Sequence, residues 1–146
     1  MTTIHRSAIV PYSAEQMFDL VADIPSYPKF LPWCGGARVL STQEDAVVAA
    51  IDIAYGGLHR SFTTRNLLQK GKMMELRLLD GPFSHLQGFW RFNALDEHAS
   101  KITLDLDFEV ANRLVAMVLV PVFTGIANQL VDSFHRRAVQ LYGKST

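Results

Sequence analysis

The sequence predicts an α+β fold of the helix-grip kind, a seven-stranded curved antiparallel sheet wrapped around a long C-terminal helix. Three observations carry this expectation. Apolar residues alternate with a period of two between residues 47 and 110, punctuated by turn signals at Gly56-Gly57, Gly71-Lys72, Asp80-Gly81-Pro82 and residues 96–100. From Asn112 onward the period becomes helical. A sheet with one apolar face needs a cover, and only that closing helix has the length to provide it.

Taken in order, the chain opens with a strand over residues 3–10, stopped by Pro11-Tyr12-Ser13. Ser13 is a good N-cap and Gln16 follows three residues on, which spells a capping box. Glu15 in the first turn suits the helix dipole. This helix carries Met17, Phe18, Leu20 and Val21 on one side and runs to about Ala22. A second short helix or turn begins at Asp23-Ile24-Pro25 and ends near Pro28, because residues before prolines are pushed out of the helical region.

Alternation then marks strands over 47–55, 58–68, 74–78, 86–94 and 102–110. The sum is a strand, helices, about six antiparallel strands and a long helix. Asn112 is the N-cap expected for that helix. Residues 114–127 are apolar almost all round, which predicts cover on most sides. Residues 128–142 are amphipathic, with Leu130, Val131, Phe134, Ala138 and Leu141 on the buried side. Pro121 should kink or split the helix.

Composition narrows the function. The chain has 146 residues, enough for one domain over 1–146. Its 14 basic residues balance 14 acidic ones, which argues against a DNA partner held by a strongly basic surface but leaves room for a local basic patch. One cysteine, Cys34, excludes an internal disulfide and a thiolate metal cluster. The five histidines have no metal-ligand spacing, so no metal is expected. The N-terminus has no apolar signal core and no Arg/Ser-rich transit stretch. The longest apolar run, 114–123, is about half the ~20 residues of a membrane span. The expectation is a cytoplasmic protein that handles something apolar.

Several segments share one pattern: Pro11-Tyr-Ser-Ala-Glu-Gln-Met17, Ser26-Tyr-Pro-Lys-Phe-Leu-Pro-Trp-Cys34, Thr63-Thr-Arg-Asn66 and Asp80-Gly-Pro-Phe83. Leu86, Gly88, Trp90, Phe92, Leu104-Asp-Leu-Asp-Phe-Glu109, Phe134, Arg137-Ala138 and Tyr142 continue it. The chain resembles the coenzyme-Q-binding branch of the START-like, polyketide-cyclase-like superfamily, with bacterial RatA-type ribosome-association toxins as the nearest group. The resemblance implies a START/Bet v 1-like fold and two functions. One is non-catalytic binding of ubiquinone or a similar isoprenoid lipid in a central cavity, in support of respiratory electron transport. The alternative is binding of the large ribosomal subunit, which blocks subunit association and inhibits translation. No cofactor is required by either, and ubiquinone would be a bound ligand. A lipid role would add peripheral contact with the inner membrane.

The expected ligand-binding set from the sheet and loops is Phe30, Leu31, Trp33, Phe62, Leu78 and Phe83. Leu86, Trp90, Phe92 and Phe108 continue it, and Val118 and Phe123 come from the long helix. The same side chains equally satisfy a packed core, since alternation is first a packing signal. Trp33 and Trp90 stand out, each with a flat apolar face for a quinone ring and an N–H for a carbonyl. On this reading Trp90→Ala weakens ligand binding without unfolding the chain.

Prolines 25, 28 and 32 stiffen the segment carrying Tyr27, Phe30, Leu31 and Trp33. A rigid apolar lid, a membrane or partner docking surface and a loop packed inward all suit it. Arg60, Arg65, Lys70, Lys72 and Arg77 on one hairpin are candidates for phosphate contact, or a solvated sheet edge. Asp105, Asp107 and Glu109 form an outward acidic row. The inward polar residues are Tyr55, Arg60, Thr64 and Asn66, too few for an acid–base pair, so no catalytic residue is expected.

Overall fold

The computed structural model describes residues 1–143. Strand β1 (Thr2–Val10) leads into α1 (Ala14–Ala22), where Ser13 and Gln16 exchange both capping-box hydrogen bonds. A short 3-10 helix, Ile24–Lys29, follows. Six strands come next: β2 (Cys34–Gln43), β3 (Ala46–Tyr55), β4 (Leu58–Gln69), β5 (Met73–Asp80), β6 (His85–Ala94) and β7 (Ser100–Glu109). Helix α2 (Arg113–Tyr142) closes the chain, and Asn112 Oδ1 accepts from the amides of Leu114 and Val115.

All seven strands form one antiparallel sheet in the order β1-β7-β6-β5-β4-β3-β2. Gly56 and Gly57 both take positive φ, 55° and 85°, which gives the β3–β4 hairpin the turn that matches strand twist. Strand β2 is the one that alternation does not mark. Its residues beyond Ala37 are exposed and its register against β3 shifts twice, so no apolar face is selected there.

The sheet curves around α2, and the core falls into two clusters along the helix. One gathers around Phe134, whose ring lies 5.5 Å from Tyr27, 5.3 Å from Phe30 and 5.4 Å from Trp90. The other gathers around Phe123, 4.9 Å from Phe83 and 4.8 Å from Phe108. A polar clasp ties the far end of α2 to the first loop: Tyr12 donates its hydroxyl to the Gly143 carbonyl, and buried Ser100 donates to the Tyr12 carbonyl at 2.9 Å.

Two expectations about α2 need correction. Pro121 does not split it, and the helix runs unbroken for 30 residues. The missing proline donor faces the solvated side, where Pro121 itself is exposed. Nor is the apolar N-terminal half covered on most sides: Leu114 is 77% exposed, Met117 74% and Val118 52%. Sheet contact takes one stripe only, through Leu119, Phe123, Ile126 and Ala127. By length and composition α2 is apolar enough to cross a membrane, but that stripe packs it on the sheet.

Candidate functional site

A cavity of about 80 Å³ lies where the two core clusters meet. Ile24 and Tyr27 of the 3-10 helix line it, with Trp33 from the loop before β2. Strands β3 to β7 contribute Ile51, Phe62, Thr64, Asn66, Met74, Leu76, Leu86, Trp90, Leu104 and Leu106. Helix α2 supplies Phe123, Ile126, Leu130 and Phe134. The inward rows explain this convergence: Asn66, Leu76, Gly88 and Leu106 stand opposite one another across β4–β7, as do Met74, Trp90 and Leu104 on the next row.

Of the expected ligand-binding residues, Trp33, Phe62, Leu86, Trp90 and Phe123 reach the cavity. The others do different work. Phe83 and Phe108 sit 6.1 Å apart behind Phe123 and fill the core. Phe92 lies 6.2 Å behind Trp90, stacked on it, and 5.5 Å from Phe18. Leu31 is fully buried in the Phe134 cluster, and Leu78 packs against the Phe123 cluster. Phe30 covers Phe134 on one side and carries the Arg137 guanidinium 5.0 Å from its ring centre on the other. Val118 points to solvent beside the β3–β4 hairpin. The 26–34 segment is therefore a loop packed inward, with Tyr27, Leu31 and Cys34 buried, rather than a free lid.

Tight packing also changes what Trp90→Ala would do. Trp90 is buried between Phe92 and Phe134, so its truncation destabilises the core by about 3–5 kcal/mol. It cannot report on a ligand alone.

The polar groups facing the cavity are few. Thr64 and Asn66 are 4% and 3% exposed, and the Thr64 hydroxyl donates to Asn66 Oδ1 at 2.7 Å. The Tyr27 hydroxyl donates to the Val21 carbonyl, and burial pushes its pKa far up, so it stays neutral. Tyr55 and Arg60, which share the inward parity, lie exposed at the hairpin end and do not enter.

Cys34 donates its thiol to the Gly36 carbonyl at 3.3 Å. Burial pushes this thiol up, the Gly36 hydrogen bond pulls it back in part, and nearby Asp52 adds to the rise. A raised pKa means less thiolate at any neutral pH. Iodoacetamide should therefore alkylate native Cys34 far more slowly than free cysteine, with the rate still climbing at alkaline pH where the free thiol has levelled off. A rate equal to that of free cysteine would contradict this environment.

The hairpin cations separate. Arg65 and Arg77 stand opposite each other on β4 and β5, with Arg77 held by Glu75 at 3.0 Å. Arg60 lies at the other end, by Leu114 and Val118. Strand register brings a different group together: Lys70 and Lys72 of the β4–β5 turn face Arg91 of β6 and Lys101 of β7 across one groove. Sequence spacing alone does not single out Lys101 for this group. The Phe92 amide donates to the Lys72 carbonyl at 2.8 Å and fixes the turn, while Gly71 takes φ 73° beside Glu15. The acidic row supplies cross-strand partners: Asp105 accepts from Arg91 at 2.8 Å and pairs with His5, and Asp107 accepts from Thr3 at 2.8 Å.

Residues 10–135 match the family described as polyketide cyclase / dehydrase and lipid transport. The chain belongs to this family. A Pseudomonas aeruginosa member, named ribosome association toxin RatA, is 51% identical over 97% of this chain and 99% of its own. A Xenopus laevis member, the mitochondrial coenzyme Q-binding protein COQ10 homolog B, is 28% identical over 94% of this chain and 58% of its own. The Zhui aromatase/cyclase from a Streptomyces species superposes with a TM-score of 0.79 at 18% identity, over 99% of both chains, and shows the shared START-like fold. Members of one fold thus carry names of a toxin, a binding protein and an enzyme, and function rests on the site.

Proposed function

We propose that this chain binds the large ribosomal subunit and blocks its association with the small one, inhibiting translation in the cytoplasm without catalysis. The observation that carries the reading is the 51% identity, end to end, to a protein named for ribosome association. Two features support it. Among the described residues the cavity lining offers no acid–base pair, since its polar side chains are Thr64, Asn66, Tyr27 and the two indoles. The groove of Lys70, Lys72, Arg91 and Lys101 gathers four cations, a charge pattern that suits RNA phosphates; Glu15 also lines it, and Arg91 is paired with Asp105.

Sucrose-gradient profiles of purified subunits, mixed with and without the chain, test this. The chain should shrink the joined-ribosome peak and enlarge the two subunit peaks. An unchanged profile at saturating protein would overturn the reading.

A second reading, an apolar ligand in the cavity, draws on the lining itself and on the 28% identity to a coenzyme Q-binding protein. Size limits it. The cavity holds about 80 Å³, against roughly 300–1,000 Å³ for sites that enclose drug-sized molecules. As it stands it suits a head group, and an isoprenoid tail would have to lie outside or part the helix from the sheet.

A further inference from the structure

Among the described residues Asn66 is the one buried carboxamide; it sits on the inward face of β4 and lines the apolar cavity. The Thr64 hydroxyl occupies its Oδ1. Its Nδ2 donates to no protein acceptor among the described residues, although the residue is only 3% exposed. No side-chain nitrogen or oxygen among the described residues is both sealed off and unpartnered. The Asn66 amide nitrogen therefore opens onto the cavity that the residue lines. A leucine would fill the same volume with no polar group to satisfy, so the core alone gives no reason for an amide here.

The surroundings define what that amide can take. Among the described residues no carboxylate, lysine, arginine or histidine lines the cavity, so a charged ligand would be buried without a counter-charge. Trp33 and Trp90 contribute indole rings, and the remaining lining is aliphatic or aromatic apart from Thr64 and Tyr27. The Tyr27 hydroxyl is spent on Val21. The Trp33 and Trp90 indole N–H groups also donate to no protein acceptor among the described residues, so the Asn66 carboxamide is the β4 donor beside two indole donors in an otherwise apolar pocket of about 80 Å³.

We propose that Asn66 is the specificity-determining residue of a ligand site, donating its carboxamide N–H to the carbonyl oxygen of a compact neutral ring. The inference rests on the second reading, the apolar cavity, and is independent of ribosome binding. Thr64 is the positioning residue: its hydroxyl holds Oδ1 and so turns the N–H groups toward the ligand. The carbonyl could belong to a free cyclic ketone or to a quinone ring whose tail leaves the cavity. The chemistry at Asn66 is the same for both.

The test compares cyclohexanone with methylenecyclohexane, which replaces the oxygen by CH₂ at nearly equal size. Binding is read from ¹H–¹⁵N spectra of the full chain, including the Asn66 side-chain amide pair. The wild type should bind the ketone at least tenfold more tightly and shift the Asn66 amide resonances. In Asn66→Leu the preference should vanish while the hydrocarbon still binds, which shows that the fold persists. Thr64→Val should reduce the preference by releasing the amide. A parallel titration with decylubiquinone separates the two sources. Binding by both carbonyl compounds supports a tailed quinone, and binding by cyclohexanone alone supports a small free ketone. Equal affinity of the wild type for ketone and hydrocarbon, no binding of any probe, or a preference that survives in Asn66→Leu would each overturn the proposal. Gradient profiles of the same variants remain as for wild type if only this inference fails.

Discussion

Phe123→Ala should lower the unfolding free energy by about 3–5 kcal/mol, the range for removing a large aromatic from a packed core. Phe123 joins three rings, with Phe62 at 6.0 Å, Phe83 at 4.9 Å and Phe108 at 4.8 Å. It is also one of four α2 side chains that line the cavity, with Ile126, Leu130 and Phe134. Truncation therefore strips edge-to-face contacts and enlarges an existing void, and the surrounding rings come from β4, the β5–β6 turn and β7, separate segments that cannot close in together. Urea unfolding measures the loss. The enlarged cavity should also bind benzene, and saturating benzene should restore part of the stability by mass action. A loss below about 1 kcal/mol would mean that the second cluster does not depend on α2, contrary to the packing described.

Reversing the groove should have the largest effect on activity. In Lys70→Glu/Lys72→Glu/Lys101→Glu, three exposed cations that make no ion pair within 4.0 Å among the described residues become anions. The fold loses little, because these side chains lie outside both core clusters. Affinity for the large subunit should fall at least tenfold, and the slope of log affinity against log salt should shrink by about one for each phosphate that is no longer neutralised. Arg60→Glu, at the far end of β4, should leave subunit binding as in the wild type. If Arg60→Glu abolishes binding and the triple variant does not, the ribosome-facing surface lies by the β3–β4 hairpin instead.

Phe123 and the lysine groove differ in how far the residues alone reveal them. Helix α1, the Gly56-Gly57 hairpin and strands β3 to β7 follow from capping chemistry and alternation, both of which are local. Strand β2 escapes such reading because neither of its faces is buried for most of its length. Helix α2 escapes in a different way. Its first half is apolar all round, so periodicity names no buried side, and the exposure of Leu114 and Met117 emerges only once the sheet takes the Leu119–Phe123 stripe.

The site is half legible for a related reason. Alternation assigns a residue to the inward face but not to a depth within the core. Phe108 and Phe62 share that face, yet only Phe62 reaches the cavity, since Phe108 lies behind Phe123 together with Phe83 of the β5–β6 turn. Thr64 and Asn66 are visible as inward polar residues, but their mutual hydrogen bond, and hence the direction of the free N–H groups, needs three-dimensional geometry. Lys101 is hidden for want of register: Asn93 pairs with Lys101 and Met73 with Arg91, which carries distant segments to the Lys70-Gly71-Lys72 turn.

The most direct measurement is co-sedimentation of the purified chain with isolated large and small ribosomal subunits across a salt series. Ribosome binding through the groove predicts that the chain travels with the large subunit at low salt, is released as salt rises, and stays at the top of the gradient with the small subunit. A chain that remains at the top with both subunits, or that sediments equally with each, would contradict it.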